Sequence, residues 1–176
     1  MAIPFATSNV GGVNLSQIDK PIATTDGYAQ AVETGSGFAL GTQVTASDGS
    51  VWAYCVYGTG GSTGLGYVMV IDEAWSAVMM ENTPGAFGDK IGRSPAAAIA
   101  TDLGWIQVYG VADDIQVSAS CAANVPLAST TTAGQIDDAV ATPTKNLPGI
   151  ILTTARAASA GTAPGFLNWP VVGTTN

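Results

Sequence analysis

The sequence predicts an all-β fold: a small sandwich or barrel-like domain with at most one or two short helices, preceded by an extended N-terminal arm. Three observations favour this class. Short runs rich in β-forming residues alternate between apolar and polar positions. Turn-forming Gly, Pro, Asn and Asp separate these runs, and no long amphipathic helix is present. About eight or nine short strands follow from this pattern, as expected for two β-layers or a closed sheet.

The first 36 residues differ in pattern from the rest of the chain. Residues 1–36 show no sustained period and are interrupted by Gly, Pro, Asn and Asp. We therefore interpret residues 1–36 as an extended arm, with at most one short helix or strand, and residues 37–176 as a β-rich domain. Apolar side chains that could anchor the arm to a neighbouring surface are Phe5, Val13, Leu15 and Ile18.

A hairpin is the clearest local prediction in the domain. Residues 42–46 alternate, Asp48-Gly49 is a turn dipeptide, and residues 51–57 are rich in β-formers. The glycine-rich stretch after them reads GTGGSTGLG. It lacks the Lys of a phosphate-binding P-loop and precedes a strand pattern, so we interpret it as a hairpin loop.

Two further segments carry predictions that the structure can test. Residues 82–93, NTPGAFGDKIGR, are rich in turn formers and are predicted to form a surface loop. The next segment, SPAAAIATD, is the best candidate for a short helix, because Ser94 suits the N-cap and Pro95 suits the first helical position. A strand is the alternative there.

The stretch GWIQVYGVADDIQVSAS contains two alternating runs on either side of an acidic pair. Asp113-Asp114 is predicted to mark a turn between two strands, since Asp is favoured in turns. Adjacent strand residues point to opposite faces, so one such pair rarely brings both carboxylates to one ion.

Composition limits the classes of function. Charged residues make up only 10% of the chain against 47% hydrophobic residues, which is typical of a protein that buries surface in an assembly. The net charge of −8 disfavours nucleic acid and anionic membranes as partners. There is no histidine, which removes the usual general base and a common metal ligand. We expect no enzyme activity, and we predict no catalytic, cofactor-binding or metal-binding residue.

The two cysteines and the chain start bear on the compartment. Cys55 and Cys121 lie in apolar runs and are predicted to be buried free thiols. The first ten residues, MAIPFATSNV, lack a basic segment followed by a long apolar one, so no secretory signal is expected. No run approaches the length of a membrane span. We therefore expect the chain to be made in a cytoplasm, and either to stay there or to pass from there into an assembled particle.

Alternatives from different functional classes remain at this stage. Acidic pairs brought together by the fold could bind a cation or act as a hydrolase site, with Asp113 and Asp114 the pair to suspect. A sugar-binding surface could be built on Trp52, Tyr54 and Tyr57. Aromatic residues in strands are more often core, however, and acidic pairs more often mark turns.

Several blocks carry a family resemblance when taken in order. They are GTQVTASDGSVWAYCVYGTG, DLGWIQVYGVADDIQVSASCAANVPLASTTTAGQIDD and PGIILTTARAASAGTAPGFLNWPVVG. Over roughly residues 38–173 this order resembles the head decoration, or capsid cement, proteins of tailed bacteriophages. The blocks are structural motifs rather than catalytic ones.

The resemblance implies a structural virion protein on the outer capsid surface that cements the shell through contacts between subunits. Its implied partners are the major capsid protein and further copies of itself, with a trimer the commonest arrangement. In such proteins a terminal arm reaches across a neighbouring subunit, a role that would fall to residues 1–36. Trp169, in the last block, is a further candidate contact residue. A fibre-base or carbohydrate-binding virion surface domain is the alternative function, and a carboxylate-dependent hydrolase comes after it.

Overall fold

The chain folds into an all-β structure in which one sheet closes on itself. A computed structural model describes residues 15, 18–19, 38–59, 63–139 and 143–176. These residues contain no helix. Their strands are β1 Ile18–Asp19, β2 Gln43–Thr45, β3 Val51–Tyr57, β4 Val68–Ile71, β5 Ser76–Met79, β6 Lys90–Arg93, β7 Leu103–Val117, β8 Ala128–Ser129, β9 Ile136–Asp137, β10 Ile150–Leu152 and β11 Gly161–Asn168.

Strand pairing generates a barrel and a second layer. The order along the sheet is β10-β11-β7-β6-β4-β5-β3-β2, and an additional β3–β7 pairing closes the ring β3-β5-β4-β6-β7, which we call the barrel. All of its pairings are antiparallel except β3–β5. The second layer consists of the C-terminal half of β7 together with β11 and β10. The predicted all-β, barrel-like fold class is confirmed, and the N-terminal arm predicted over residues 1–36 lies outside the described residues except at positions 15, 18 and 19.

Three buried clusters hold the layers together. The barrel interior contains small and aliphatic side chains such as Ala53, Met69 and Ile106. The opposite face of β4 and β6, including Val68 and Ile91, packs under the second layer. A third cluster covers the outer face of β2, β3 and the start of β7; its members include Leu15, Trp52, Tyr54 and Trp105.

The structure confirms several local predictions. The β2–β3 hairpin turns at Asp48-Gly49, where Gly49 has φ +83° and Ser50 N donates to Asp48 Oδ1. Cys55 and Cys121 are buried free thiols. The aromatic residues considered for a sugar surface are instead buried: Trp52, Tyr54 and Tyr57.

The predicted helix after Ser94 is wrong. The backbone of Ser94 is engaged by a neighbouring segment, since its N–H donates to Tyr67 O and its carbonyl accepts from Gly66 N. Thr63 holds Ala98 in the same way, with Ala98 N donating to Thr63 Oγ1. A helix starting at Ser94 would pair Ala98 N with Ser94 O, and both groups are instead taken by tertiary hydrogen bonds.

Two loop predictions are also corrected. The glycine-rich stretch, of which residues 60–62 lie outside the described residues, is not a hairpin loop, because β5 lies between the strands that it connects. Residues 82–93 are not all loop, because Lys90–Arg93 forms β6 and pairs with β4. Its four residues are too few, and too close to Gly and Asp, to give a strand pattern.

The acidic pair is not a turn. β7 runs without interruption from Leu103 to Val117. Ala112 and Ile115 of β7 face Gly165 and Ala163 of β11, so Asp113-Asp114 together oppose one residue, Pro164. The pair therefore forms a β-bulge, in which one strand has an extra residue and redirects its side chains.

Candidate interaction surface and neighbouring cleft

An exposed apolar strip crosses the outer face of the second layer. Ile151 of β10 pairs with Phe166 of β11, and Phe166 pairs with Val111 of β7, so the three side chains lie on one face in adjacent strands. Val111 is 65% exposed and Ile151 48% exposed. The opposite face of these strands is buried, with Leu167 at 0%. An uncharged row of this kind on an open sheet face is typical of a contact surface.

Two aromatic rings extend the strip. The Tyr109 ring meets Phe166 edge-on at 5.5 Å between centroids, and Trp169 stacks on Tyr109 at 5.8 Å with 29° between the planes. Trp169 is 48% exposed. We call these five residues, Tyr109, Val111, Ile151, Phe166 and Trp169, the aromatic strip. Stacked rings lose little side-chain entropy on contact, which makes them effective anchors for a partner.

A cleft of about 290 Å³ opens beside Trp169 at one mouth of the barrel. Its walls include the indoles of Trp75 and Trp169, with Lys90 and Gln43 as the polar side chains and Val108 among the apolar ones. Lys90 Nζ lies 4.8 Å from the Trp75 ring centroid, a cation–π contact. The mouth of a β-barrel is a common place for a ligand pocket.

The bulge at Asp113-Asp114 sends the two carboxylates to different surroundings. Asp113 is exposed, whereas Asp114 is buried and its Oδ1 lies 2.6 Å from Arg93 Nη2. Burial raises the pKa of Asp114, and the Arg93 guanidinium offsets part of that effect. Arg93 also lies over the Trp52 ring, 5.6 Å from its centroid. Asp114 is therefore held under the second layer by its ion pair with Arg93.

The two remaining acidic pairs are Asp72-Glu73 and Asp137-Asp138. Asp72 Oδ1 accepts from the backbone N–H groups of Ala74 and Ser76 and so shapes the turn into β5. Asp137 and Asp138 lie near Cys121, with one potential ligand atom from each within 4.8 Å of the others. Burial raises the pKa of the Cys121 thiol to about 12. Two carboxylates from adjacent residues do not complete the coordination shell of a hard cation.

Three of the five residues that the sequence predicts as contacts lie in the described part of the chain, each in a different place. Leu15 is 3% exposed and packs in the cluster on the outer face of β3 and β7. Ile18 belongs to β1, which pairs with β7 at Gly104 and Leu103. Phe5 and Val13 lie outside the described residues. Trp169 lies in the aromatic strip, and the contact roles of all five residues stay predictions.

Sequence reasoning missed the other members of the aromatic strip and the cleft. Val111, Phe166 and Ile151 are separated by up to 55 residues and meet only through strand register. The alternation in β7 was a usable signal, because apolar Val111 follows Trp105, Gln107 and Tyr109 on one face. No sequence signal places Trp75 next to Trp169, because both positions depend on loop geometry.

Comparison with known proteins adds no family. No protein-family model matches the chain, and no match is found among curated proteins or solved structures. No helix in the described part of the chain is long and apolar enough to cross a membrane.

Proposed function

We propose that this protein is a structural virion protein that decorates and cements the outer surface of a phage capsid. The observation that carries the proposal is the aromatic strip, an uncharged and partly exposed row that continues across three strands. A strip of stacked aromatic and aliphatic side chains suits a protein–protein contact, since desolvation of such groups supplies most of the affinity at an interface. The capsid as partner rests on the resemblance of the sequence blocks.

The described chemistry supports a structural role. The buried carboxylate of Asp114 pairs with Arg93, and the partly exposed carboxylate of Asp72 accepts hydrogen bonds from backbone N–H groups. Low charge and an open apolar face favour repeated burial of surface in a symmetric assembly. Binding that occurs only on the assembled shell stabilises that shell by mass action. The proposed partners are the major capsid protein and further copies of this chain, arranged as a trimer.

Co-sedimentation tests the proposal. Purified protein is mixed at micromolar concentration with undecorated phage heads, and the heads are pelleted. The wild type is expected to pellet with the heads. The double variant Val111→Ser with Ile151→Ser is expected to lose at least about tenfold in affinity, because it removes the two exposed aliphatic side chains of the strip.

Leu65→Ser with Ile99→Ser is the matched control, since these residues are 52% and 54% exposed but lie outside the strip. This control is expected to bind like the wild type. Absence of wild-type co-sedimentation contradicts the decoration role. Equal losses in both double variants contradict the assignment of the strip. Light scattering of the free protein tests the trimer separately.

A further inference from the structure

The aromatic strip does not account for the cleft at the barrel mouth. It combines apolar walls with a lysine, and its volume of about 290 Å³ lies near the lower end of small-molecule pockets. A cleft of this size fits one ring-sized unit. It involves Trp75 and Lys90, neither of which belongs to the aromatic strip.

Both tryptophans of the cleft have left-handed backbones. Trp75 has φ 60° and Trp169 has φ 49°. Such a conformation costs a bulky residue about 1–2 kcal/mol, so it persists only where surrounding contacts impose it. At Trp75 the conformation is imposed by backbone hydrogen bonds, since its N–H donates to Asp72 O and its carbonyl accepts from Val56 N. The ring lies directly over Gly41, where a Cβ atom would come within 2.4 Å of it.

Lys90 is distinguished from the other described basic residues by its free head group. Arg93 pairs with Asp114, Lys145 donates to the carbonyls of Thr83 and Pro84, and Arg156 donates to Ser159 O and Thr162 O. Within the described residues, the Lys90 ammonium has no hydrogen-bond acceptor or ion-pair partner, and it lies over the face of Trp75.

Two acidic side chains close to Lys90 in sequence or space are already engaged. Asp89 Oδ2 accepts from Ala86 N at 2.7 Å, and Asp72 Oδ1 accepts from two backbone N–H groups. The cleft therefore presents an ammonium group that has no hydrogen-bond acceptor among the described residues and lies over the Trp75 ring, and Gln43 also lines the cleft.

We propose that this cleft binds an acidic sugar, such as a hexuronate or a sialate. The carboxylate would pair with Lys90, the apolar face of the ring would pack on Trp169, and Gln43 would hydrogen-bond hydroxyl groups. Charge-assisted hydrogen bonds supply orientation, and aromatic rings supply the contact area. The proposal does not rest on the decoration role: Trp169 belongs to both the cleft and the aromatic strip, but Lys90, which distinguishes acidic from neutral sugars, lies outside the strip.

The experiment is an NMR titration that follows the indole N–H signals of the four tryptophans, assigned by single Trp→Phe variants. Glucuronate and N-acetylneuraminate are expected to shift the Trp75 and Trp169 signals saturably. The signals of buried Trp52 and Trp105 are expected to stay in place. Glucose, which has no carboxylate, is expected to bind at least about tenfold more weakly.

Lys90→Gln is expected to remove the preference for acidic sugars over glucose, and Lys90→Arg is expected to retain it because the charge is kept. Absence of saturable shifts with both acidic sugars at high-millimolar concentration overturns the proposal. Equal shifts of all four indoles also overturn it, since they indicate non-specific binding. Saturable binding of benzoate without binding of either sugar overturns the sugar assignment. None of these outcomes changes the expected co-sedimentation of the wild type with phage heads.

Discussion

At the scale of single residues, the Asp113-Asp114 bulge determines where two neighbouring carboxylates of β7 lie. One extra residue opposite Pro164 directs Asp113 to solvent and Asp114 inward to Arg93. Arg93 is itself buried, 9% exposed, and its Nε has no hydrogen-bond partner in the described residues. An ion pair in such a place contributes little net stability when intact, but removal of one partner leaves an uncompensated buried charge.

Asp114→Ala is expected to lower the free energy of unfolding by about 3–5 kcal/mol, because Arg93 then stays buried without a counter-ion. Denaturation in guanidinium chloride measures the change. Asp113→Ala removes the same charge from the exposed neighbour and is expected to change stability by less than about 1 kcal/mol. The double variant Arg93→Met with Asp114→Leu is expected to recover most of the loss. Equal effects of the two single variants would contradict a structural role for the pair.

Particular residues show what the sequence could predict and what it could not. The alternation around Trp52 and Tyr54 and the Asp48-Gly49 turn are local signals, and they identify the β2–β3 hairpin correctly. The bulge at Asp114 depends on Arg93, 21 positions earlier in the chain, so local propensity favours a turn there. The cleft depends on two left-handed tryptophans that no propensity favours.

At the scale of elements, the backbone of the loop before β4 lies very close to the end of β7. Gly66 N donates to Ser94 O, and Gly66 O accepts from Gln116 N. Gly66 has φ +80°, and a Cβ atom there would lie 1.9 Å from the backbone oxygen of Asp114. Only glycine lets these two backbones meet, because any side chain would separate them.

Gly66→Ala is expected to destabilise the protein by at least about 2 kcal/mol more than Gly49→Ala, as measured by chemical denaturation. Gly49 is the matched control, since it has φ +83° but no atom within 4 Å of an added Cβ. Its variant carries only the left-handed strain of about 1–2 kcal/mol. Similar losses in the two variants would show that backbone strain, and not the contact with β7, sets the effect.

At the scale of the whole molecule, β7 belongs to both layers. Its first half pairs with β3 in the barrel, and its second half pairs with β11. The core between the layers includes Leu167 from β11 and Val70 from β4. Because the layers share a strand and a core, we expect them to unfold as one cooperative unit.

Leu167→Ala is expected to lower stability by about 2–5 kcal/mol and to shift the unfolding of both layers together. Hydrogen exchange with increasing denaturant, followed in peptides from residues 51–57 and 161–168, measures this. Ile151→Ala is the control on the same sheet, because its side chain is 48% exposed, and a change below about 1 kcal/mol is expected. Loss of protection in residues 161–168 alone would contradict a single unit.

The shared strand also has a consequence for synthesis. A ribosome makes the chain from its N-terminus, so the five barrel strands, including all of β7, are complete before β10 and β11 emerge. During that interval the second half of β7 has no β11 to pair with, and the apolar face formed by Val68, Val70 and Ile91 lacks the part of its cover that β10 and β11 supply. An unpaired strand beside an uncovered apolar face is a template for association between nascent chains. We therefore expect residues 150–176 both to complete the fold and to end the period in which growing chains associate through this strand and face.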